Sequence, residues 1–209
     1  MRRLRDPERT RKVLLQAAFR EVYRSGFQGA GLDTILAATG VTKGALYHHF
    51  DSKEALGYAL VEEVIAEITR DKWLRPLHRS TDPIETLIGI VLATSVRVED
   101  VRYGCPLNNL AQEMSPLDEH FRKCVARVFY DWHEAIASAL RRGQEGGTVR
   151  RDLDAGQTAS FLIATYEGYT SLAKNAQDVN VLTAGIKSIV EWLRSLRATT
   201  KQQPKWAKA

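Results

Sequence analysis

The sequence predicts an all-α fold in which a three-helix N-terminal head is followed by a larger helical body, with about nine helices in all. Apolar residues recur at helical spacing along nearly the whole chain, and no stretch shows sustained strand alternation or an Asn-Gly hairpin turn. With 209 residues, the chain is long enough for a head of about 50 residues on a larger core. Two short helices separated by a glycine near the N-terminus favour that division.

The three helices of the head are delimited by proline and glycine. The first is predicted from about Pro7 to Ser25, because proline suits a first helical position and glycine follows as an exit. A short second helix ends at Gly40, and a third opens at residues 41–43, which gives a helix-turn-helix outline. The residues predicted to face the core of the head are Val13, Leu14, Ala17, Ala18, Val22, Leu32, Ile35, Leu36, Leu46 and Phe50.

The fourth to sixth helices begin at caps or prolines. Asp51, with Glu54 three residues on, resembles a capping box and predicts a fourth helix that reaches about Leu74. Asp82-Pro83 predicts the fifth helix and Pro106 the sixth. The residues that these helices are expected to bury are Leu56, Leu60, Val64, Ile68, Ile84, Leu87, Ile88, Val91 and Leu92.

Three long helices complete the body. The seventh is predicted from Ser115-Pro116 to about Arg142, and the last two over residues 154–174 and 179–197. The inner face of the seventh is Phe121, Cys124, Val125, Val128, Trp132 and Ile136. The predicted domains are a helix-turn-helix domain over 1–53, a helical domain over 54–198 and a disordered tail over 199–209.

Composition narrows the class of protein. Hydrophobic residues make up 44% of the chain and charged residues 26%, as in ordinary soluble proteins. No run approaches the roughly 18 apolar residues of a membrane span and no signal-peptide block is present, so we expect a cytoplasmic protein. Cys105 and Cys124 are too few for a disulfide framework and lack metal-ligand spacing, so we expect reduced thiols, no metal and no cofactor.

The positive charge is concentrated at one end of the chain. Of the net charge of +5, the whole excess lies in residues 1–53, which hold ten Lys/Arg against five Asp/Glu. A basic head on a neutral body indicates a polyanionic partner, and a merely solubilising basic start is the alternative. Arg2, Arg3 and Arg5 form a short arm that is either inserted into a DNA minor groove or disordered.

The most informative segment is GFQGAGLDTILAATGVTKGALYHHFDSKEAL, residues 26–56. Through Gly26-Phe27, Ile35, Gly40-Val41 and the runs 43–50 and 52–56, it resembles the DNA-binding head of the tetracycline-repressor (TetR) family. The resemblance covers about residues 7–60. It implies a homodimeric transcriptional repressor that binds a near-palindromic double-stranded DNA operator and is released by a small effector bound in the body.

The third helix has the profile of a recognition helix. Short residues at its N-terminal end, Lys43-Gly44-Ala45, let the backbone enter a major groove about 12 Å wide. Tyr47 offers a hydrogen bond to phosphate or a ring contact to a thymine methyl group. His48 and His49 can donate to phosphate or base acceptors, although His49 is equally well explained as a solvated residue.

Three further residues are expected at the DNA phosphates. Thr42 and Lys53 suit this role, and Lys53 also lies near the positive end of the fourth helix. The family usually places Thr or Ser at the start of the second helix, where this chain has Ala30-Gly31. Contacts there are therefore expected to pass to backbone amides or to Thr34.

The resemblance also implies an effector pocket inside the body. Apolar and aromatic walls with a few polar groups are typical of such pockets, and each candidate residue is alternatively plain core. The candidates are Trp73, Asn108, Asn109, Phe129, Trp132, His133, Phe161, Thr165, Tyr166 and Tyr169.

Cys105 is a candidate redox-active residue. It precedes a predicted helix, whose dipole lowers a thiol pKa, and residues 104–110 resemble a TetR subgroup in which some members respond to electrophiles or oxidants. The alternative is a small buried residue at a tight helix start.

The last two helices are predicted to pair with a second copy of the chain. Their apolar faces are wider than a single-sided surface helix requires, which favours a two-fold four-helix interface over an ordinary intramolecular core. The residues concerned are Phe161, Leu162, Ile163, Tyr166, Tyr169, Leu172, Leu182, Ile186, Ile189, Val190, Leu193 and Leu196.

Other function classes are less well supported. The sequence has no phosphate-cradling glycine loop, no nucleophile elbow and no paired histidines at zinc-protease spacing, so an enzyme is not expected. A helical module that binds protein or RNA explains the basic start but not the run from Lys43 to Leu56. A family member that activates transcription, or that responds to a protein partner, stays open.

Overall fold

The computed structural model describes residues 7–198 and confirms the all-α fold. All nine predicted helices are present in this part of the chain, and a short helix that the sequence analysis missed, α6, is added. The helices are α1 (Pro7–Gly29), α2 (Leu32–Thr39), α3 (Lys43–His49), α4 (residues 53–78), α5 (Pro83–Leu92), α6 (Val98–Tyr103), α7 (Pro106–Met114), α8 (Glu119–Glu145), α9 (Ala155–Ala176) and α10 (Val179–Ser195). The arginine arm and the predicted tail lie outside the described residues.

The head is built on its own apolar cluster. Leu14 and Leu46 are fully buried, and Ile35 and Phe50 are nearly so, as predicted. The first turns of α4 contribute Leu56, Ala59 and Leu60 to this cluster. Because α4 continues into the body, the core of the head extends beyond the predicted boundary at residue 53.

Two helix starts differ from the prediction. The cap of α4 is Ser52, whose hydroxyl accepts a hydrogen bond from the Ala55 amide at 3.1 Å, whereas Asp51 is exposed. The cap of α8 is Asp118, which accepts from the Phe121 amide at 2.9 Å, while residues 115–117 form a turn. In both cases the side chain that reaches an unpaired amide three residues on decides where the helix begins.

The long helix α4 connects the head with the body. It passes the predicted end at Leu74, continues through Pro76 and contains two segments of wider π-type turns, Leu60–Ile65 and Arg70–Leu74. Its contact with the body is tight at Gly57, where an added Cβ would lie 2.4 Å from the Phe121 ring. The side chains of Phe27 and Phe121 meet beside this glycine with ring centroids 4.6 Å apart.

The body packs around α8. All six residues predicted for its inner face are buried. Two residues expected in the core are instead exposed: Leu92 by 59%, because α5 ends there, and Ile68 by 42%, because it borders a cavity. The six apolar residues predicted for the last helix are all buried within their own chain, so these residues give no argument for a partner. They are Leu182, Ile186, Ile189, Val190, Leu193 and Leu196.

Candidate DNA-binding surface and interior cavity

The outer face of α3 presents most of the predicted DNA contacts. Thr42, Lys43, Gly44 and His48 are exposed, Tyr47 is 40% exposed, and Ala45 is half-buried. The opposite face of α3 inserts Leu46 into the core of the head. Thr42 also caps the helix, since its hydroxyl accepts from the Ala45 amide at 3.3 Å. A short, rigidly capped helix with small residues at its N-terminal end therefore faces solvent.

Two predicted contacts are less available. The ammonium of Lys53 donates to the Gln28 carbonyl at 3.1 Å and lies 5.0 Å from the Phe27 ring, so this side chain folds back on α1. His49 is half-buried, and its carbonyl accepts from the Arg11 guanidinium at 3.5 Å. The head therefore engages the side chain of Lys53 and the backbone of His49.

The start of α2 lacks a capping hydroxyl, as expected from Ala30-Gly31 in the sequence. The residue at its N-cap is Gly31, and because glycine has no side chain, no side-chain hydrogen bond caps this helix. Thr34 is exposed, with its hydroxyl 3.2 Å from the position that a Cβ on Gly31 would occupy. The Thr34 hydroxyl therefore lies beside this helix start, where a phosphate contact is predicted from the sequence.

A cavity of about 440 Å³ lies between α1 of the head and the body, where α4, α6, α8, α9 and the links at residues 93–97 and 104–105 line it. Three of the predicted pocket residues, Trp73, Trp132 and Tyr166, form an aromatic wall of it. The rings of Trp73 lie 4.8 Å from those of Trp132 and 5.3 Å from Tyr166. The volume lies in the range of small-molecule sites, about 300–1,000 Å³.

Buried polar atoms without partners border the cavity. Glu167 is only 7% exposed, and neither carboxylate oxygen has a hydrogen-bond partner among the described residues. The Trp132 indole Nε1 lacks one as well. Burial raises the pKa of Glu167 to about 7, against the opposing influence of the Cys105 thiol and the Lys72 ammonium. Orphaned buried polar groups are costly, so these atoms suit a bound molecule with complementary groups.

A short chain of hydrogen bonds fixes the polar side of the cavity. The Lys72 ammonium donates to the Tyr166 hydroxyl at 2.6 Å, and that hydroxyl lies 3.1 Å from the Thr94 hydroxyl. Lys72, Thr94 and Glu167 were all missed by the sequence analysis. A single charged residue on an amphipathic helix normally indicates a solvated face. One feature of the sequence could have pointed to Glu167 as a cavity residue: its position directly after the apolar stretch that ends at Tyr166.

Cys105 lies at the start of α7, as predicted, and borders the cavity. Burial, followed by the nearby Glu167 carboxylate, raises the pKa of the Cys105 thiol. Hydrogen bonds from the Asn108 and Leu107 amides act in the opposite direction and are outweighed. This direction favours the alternative, a small buried residue at a tight helix start, and the redox role of Cys105 stays a prediction.

Asn108 and Asn109 border a different space. They line a groove of about 1060 Å³ between the head and the body. Asn109 donates to the Tyr103 carbonyl at 2.7 Å and accepts from the Lys174 ammonium at 2.8 Å. Asn108 donates to the Ser171 hydroxyl at 3.1 Å. Their amides thus hold α7 against α9.

The remaining five pocket candidates do not line the cavity. His133 contacts the Gly156 carbonyl at 3.0 Å, and Phe129 stacks on Trp132 with centroids 6.2 Å apart. Phe161 is 52% exposed and lies against Trp192. Thr165 and Tyr169 follow Phe161 at four-residue spacing, so they share its side of α9, whereas Tyr166 and Glu167 face inward. Periodicity alone did not decide which side of α9 meets the cavity.

Direct hydrogen bonds join the head to the body. The Tyr23 hydroxyl donates to the Gly104 carbonyl at 2.7 Å, next to Cys105 at the cavity. The Glu113 carboxylate accepts from the Phe27 and Gln28 amides at 2.9 and 2.8 Å. The position of the head is thus linked to the wall of the cavity.

The chain is similar to known proteins over most of its length. A family model described as "Bacterial regulatory proteins, tetR family" matches residues 14–60, and one described as "Tetracyclin repressor-like, C-terminal domain" matches residues 82–189. The HTH-type transcriptional repressor DhaR of Mycobacterium sp. (strain GP1) is 31% identical over 158 residues, 76% of this chain and 79% of that protein. The transcriptional regulator AcuR of Cereibacter sphaeroides is 29% identical over 176 residues, 81% and 78% of the two chains.

A solved structure agrees with these relatives. A TetR transcriptional regulator from Chloroflexus aurantiacus superposes with a TM-score of 0.80 at 27% identity, covering 94% of this chain and 100% of that one. Among the described residues, no helix has the length and apolar character needed to cross a membrane.

Proposed function

The chain belongs to the TetR family of transcriptional regulators, and from this premise we propose that it is a homodimeric repressor released from its operator by a small molecule bound in the interior cavity. The observation that carries the proposal is the pair of orphaned buried groups, Glu167 and the Trp132 indole, at an aromatic-walled space connected to the head. We place its action in the cytoplasm and assign it no enzymatic step.

The proposed DNA contacts are those on the outer face of the head. Lys43, Tyr47 and His48 of α3 contact base edges and phosphates, with Gly44 and Ala45 allowing close approach. Thr42 and Thr34 contact phosphate from the starts of α3 and α2. The recognition helices of the two subunits enter successive major grooves about 34–36 Å apart.

The proposed dimer interface is the outer side of α9 and α10. Phe161 and Leu172 are 52% and 58% exposed, and the Phe161 ring lies against that of Trp192 with centroids 4.8 Å apart. Ala164 and Gly168 lie between these residues on α9 and permit close helix approach. Pairing by a two-fold axis buries this apolar stripe in a four-helix interface.

The cavity favours an uncharged effector with an aromatic or apolar body. Lys72 and Glu167 carry opposite formal charges, so the pocket favours neither a cation nor an anion strongly. A hydrogen-bond donor on the effector satisfies Glu167, and an acceptor satisfies the Trp132 indole. A neutral aromatic alcohol or amide meets both requirements.

Release requires that the effector bind one arrangement of the head better than the other. The cavity is bordered by Lys72 and Trp73 on α4 and by the link that carries Gly104. An effector that displaces either element also displaces the head, because α4 completes the core of the head and Gly104 accepts from Tyr23.

DNA binding is tested by selecting sequences from a random duplex pool with the purified protein and titrating the selected duplex, by fluorescence anisotropy, across a salt series. Tight, sequence-dependent and salt-sensitive binding supports the proposal. Tyr47→Ala should weaken binding while leaving dimerisation intact. Binding that is indifferent to sequence contradicts a repressor.

Effector release is tested by adding neutral aromatic alcohols to the complex, each beside its methyl ether as a matched control without a donor. Release by the alcohol, and not by its ether, supports the assignment to Glu167. Trp132→Phe keeps an aromatic ring but removes the indole donor, so it should weaken the response. Equal operator affinity with and without saturating bound effector contradicts the release model.

A further inference from the structure

A cluster of metal-ligand side chains lies where α4 passes α8, away from the cavity and from the outer face of α3. Glu62 on α4 and His120 and Cys124 on α8 each offer one ligand atom, and these atoms all lie within 4.8 Å of one another. The Cys124 thiol donates a hydrogen bond to the Glu62 carboxylate at 3.4 Å. Cys124 was predicted to pack in the core and no metal site was expected from the sequence, because Glu62 comes from a distant part of the chain.

The helices bring the three groups together by ordinary geometry. His120 and Cys124 are four residues apart on α8, so their side chains share one face of that helix. Glu62 faces them from α4, and the contact of Phe121 with Gly57 sets the distance between the two helices. The ring of Tyr58 lies 4.2 Å from that of His120 and supports it from one side, while the Tyr58 hydroxyl donates to Asp118 at 2.7 Å.

The ligand types select the metal. A thiolate and an imidazole favour Zn²⁺ over Mg²⁺ or Ca²⁺, which prefer oxygen ligands. Zn²⁺ binds four ligands in a tetrahedron with metal-ligand distances of about 2.0–2.3 Å, which places the ligand atoms roughly 3.5 Å apart. The exposed side chains of Glu62 and His120 have room to close this distance by rotation, while Cys124 is 5% exposed and forms the base of the site.

We propose that Glu62, His120 and Cys124 form a Zn²⁺ site that braces α4 against α8. Water occupies the fourth position on the solvent side, as in other three-residue sites. Binding releases the Cys124 proton to solvent, and the thiolate becomes the ligand. The bound ion then joins the helix that leaves the head to the central helix of the body.

The test uses the full chain, freed of metal with a chelator and titrated with Co²⁺, a coloured probe of tetrahedral sites. We expect about one ion per chain, with a thiolate-to-cobalt band that Zn²⁺ displaces. Cys124→Ser should lose this band, and the matched variant Cys105→Ser should retain it. A wild-type protein without the band, or a band that persists in Cys124→Ser, would overturn the proposal.

A second measurement separates metal binding from misfolding. His120 is exposed, so His120→Ala should fold normally. Zn²⁺ should raise the thermal unfolding midpoint of the wild type and of His48→Ala, but not of His120→Ala, because only binding to the folded site stabilises it. An equal Zn²⁺ effect in His120→Ala, or loss of the effect in His48→Ala, would assign the ion elsewhere. Neither readout depends on DNA or effector, so each tests the site independently of the proposed repressor function.

Discussion

The hydroxyl of Tyr23 donates a hydrogen bond to the carbonyl oxygen of Gly104 at 2.7 Å, joining the first helix of the head to the link between α6 and α7. Gly104 has a φ of +72°, a left-handed conformation that favours glycine. The next residue borders the cavity. One hydrogen bond therefore connects the DNA-binding head with the wall of the proposed effector site.

Removing this bond should weaken the contact between head and body. Tyr23→Phe is expected to lower the free energy of unfolding by about 1 kcal/mol, the usual contribution of such a bond. Urea denaturation measures this change, with Tyr130→Phe as the control because Tyr130 is 63% exposed. Equal effects of the two substitutions would mean that the Tyr23 bond contributes no stability.

Lys43 should contribute to DNA affinity through charge. If it contacts phosphate, Lys43→Ala weakens binding to all sequences and reduces the slope of log affinity against log salt by about 1. Anisotropy titrations at several salt concentrations give this slope. Lys123→Ala removes an equal charge from α8, where Lys123 pairs with Glu119 at 2.9 Å, and should leave the slope unchanged. The assignment fails if both variants behave alike.

Glu167 should make stability depend on pH. Its pKa is raised from 4.5 to about 7 in the folded chain, so between these values the folded state binds more protons and stability falls as pH rises. Glu167→Gln replaces a carboxylate that is charged and buried at pH 8 with a neutral amide. It should therefore raise the free energy of unfolding at pH 8 by on the order of 3 kcal/mol, with little gain at pH 4.5.

Urea unfolding at the two pH values measures this difference. Glu145→Gln is the control, since Glu145 is an exposed glutamate at the end of α8. A gain from Glu167→Gln that is the same at both pH values would show that Glu167 is not buried as a titrating group.

Gly57 should tolerate no side chain. An added Cβ would lie 2.4 Å from the Phe121 ring and 2.5 Å from the Phe27 ring, so Gly57→Ala should destabilise the protein by about 1–3 kcal/mol. Gly89→Ala is the matched control within α5, where a Cβ meets no atom within 4 Å and alanine favours the helix by about 0.5–1 kcal/mol. Thermal or urea unfolding compares them, and a neutral Gly57→Ala would contradict the tight α4–α8 contact.

The sequence by itself determined the helices and the face of α3. Prolines, glycines and apolar spacing act within a few residues, so they marked nine helices and placed Leu46 and Phe50 in the core with Lys43 and Tyr47 outside. The capping residues were predicted less accurately. Asp51 and Ser52 are adjacent, and only the folded backbone decides which of their side chains reaches an unpaired amide. Helix α6 was missed because its six residues contain too few apolar positions to show a period.

Only the tertiary structure decided which helix faces meet. Apolar residues on both sides of α9 look alike in sequence, yet Tyr166 lines the cavity and Phe161 lies outside, since the rotation of α9 is set by its packing on α8 and α10. The apolar face of α10 suggested a partner until its own chain was seen to bury it. Glu62, His120 and Cys124 likewise became neighbours only when α4 crossed α8. The spacing of apolar residues within a few turns determines a helix and its apolar faces, whereas long-range packing determines which other helix each face contacts.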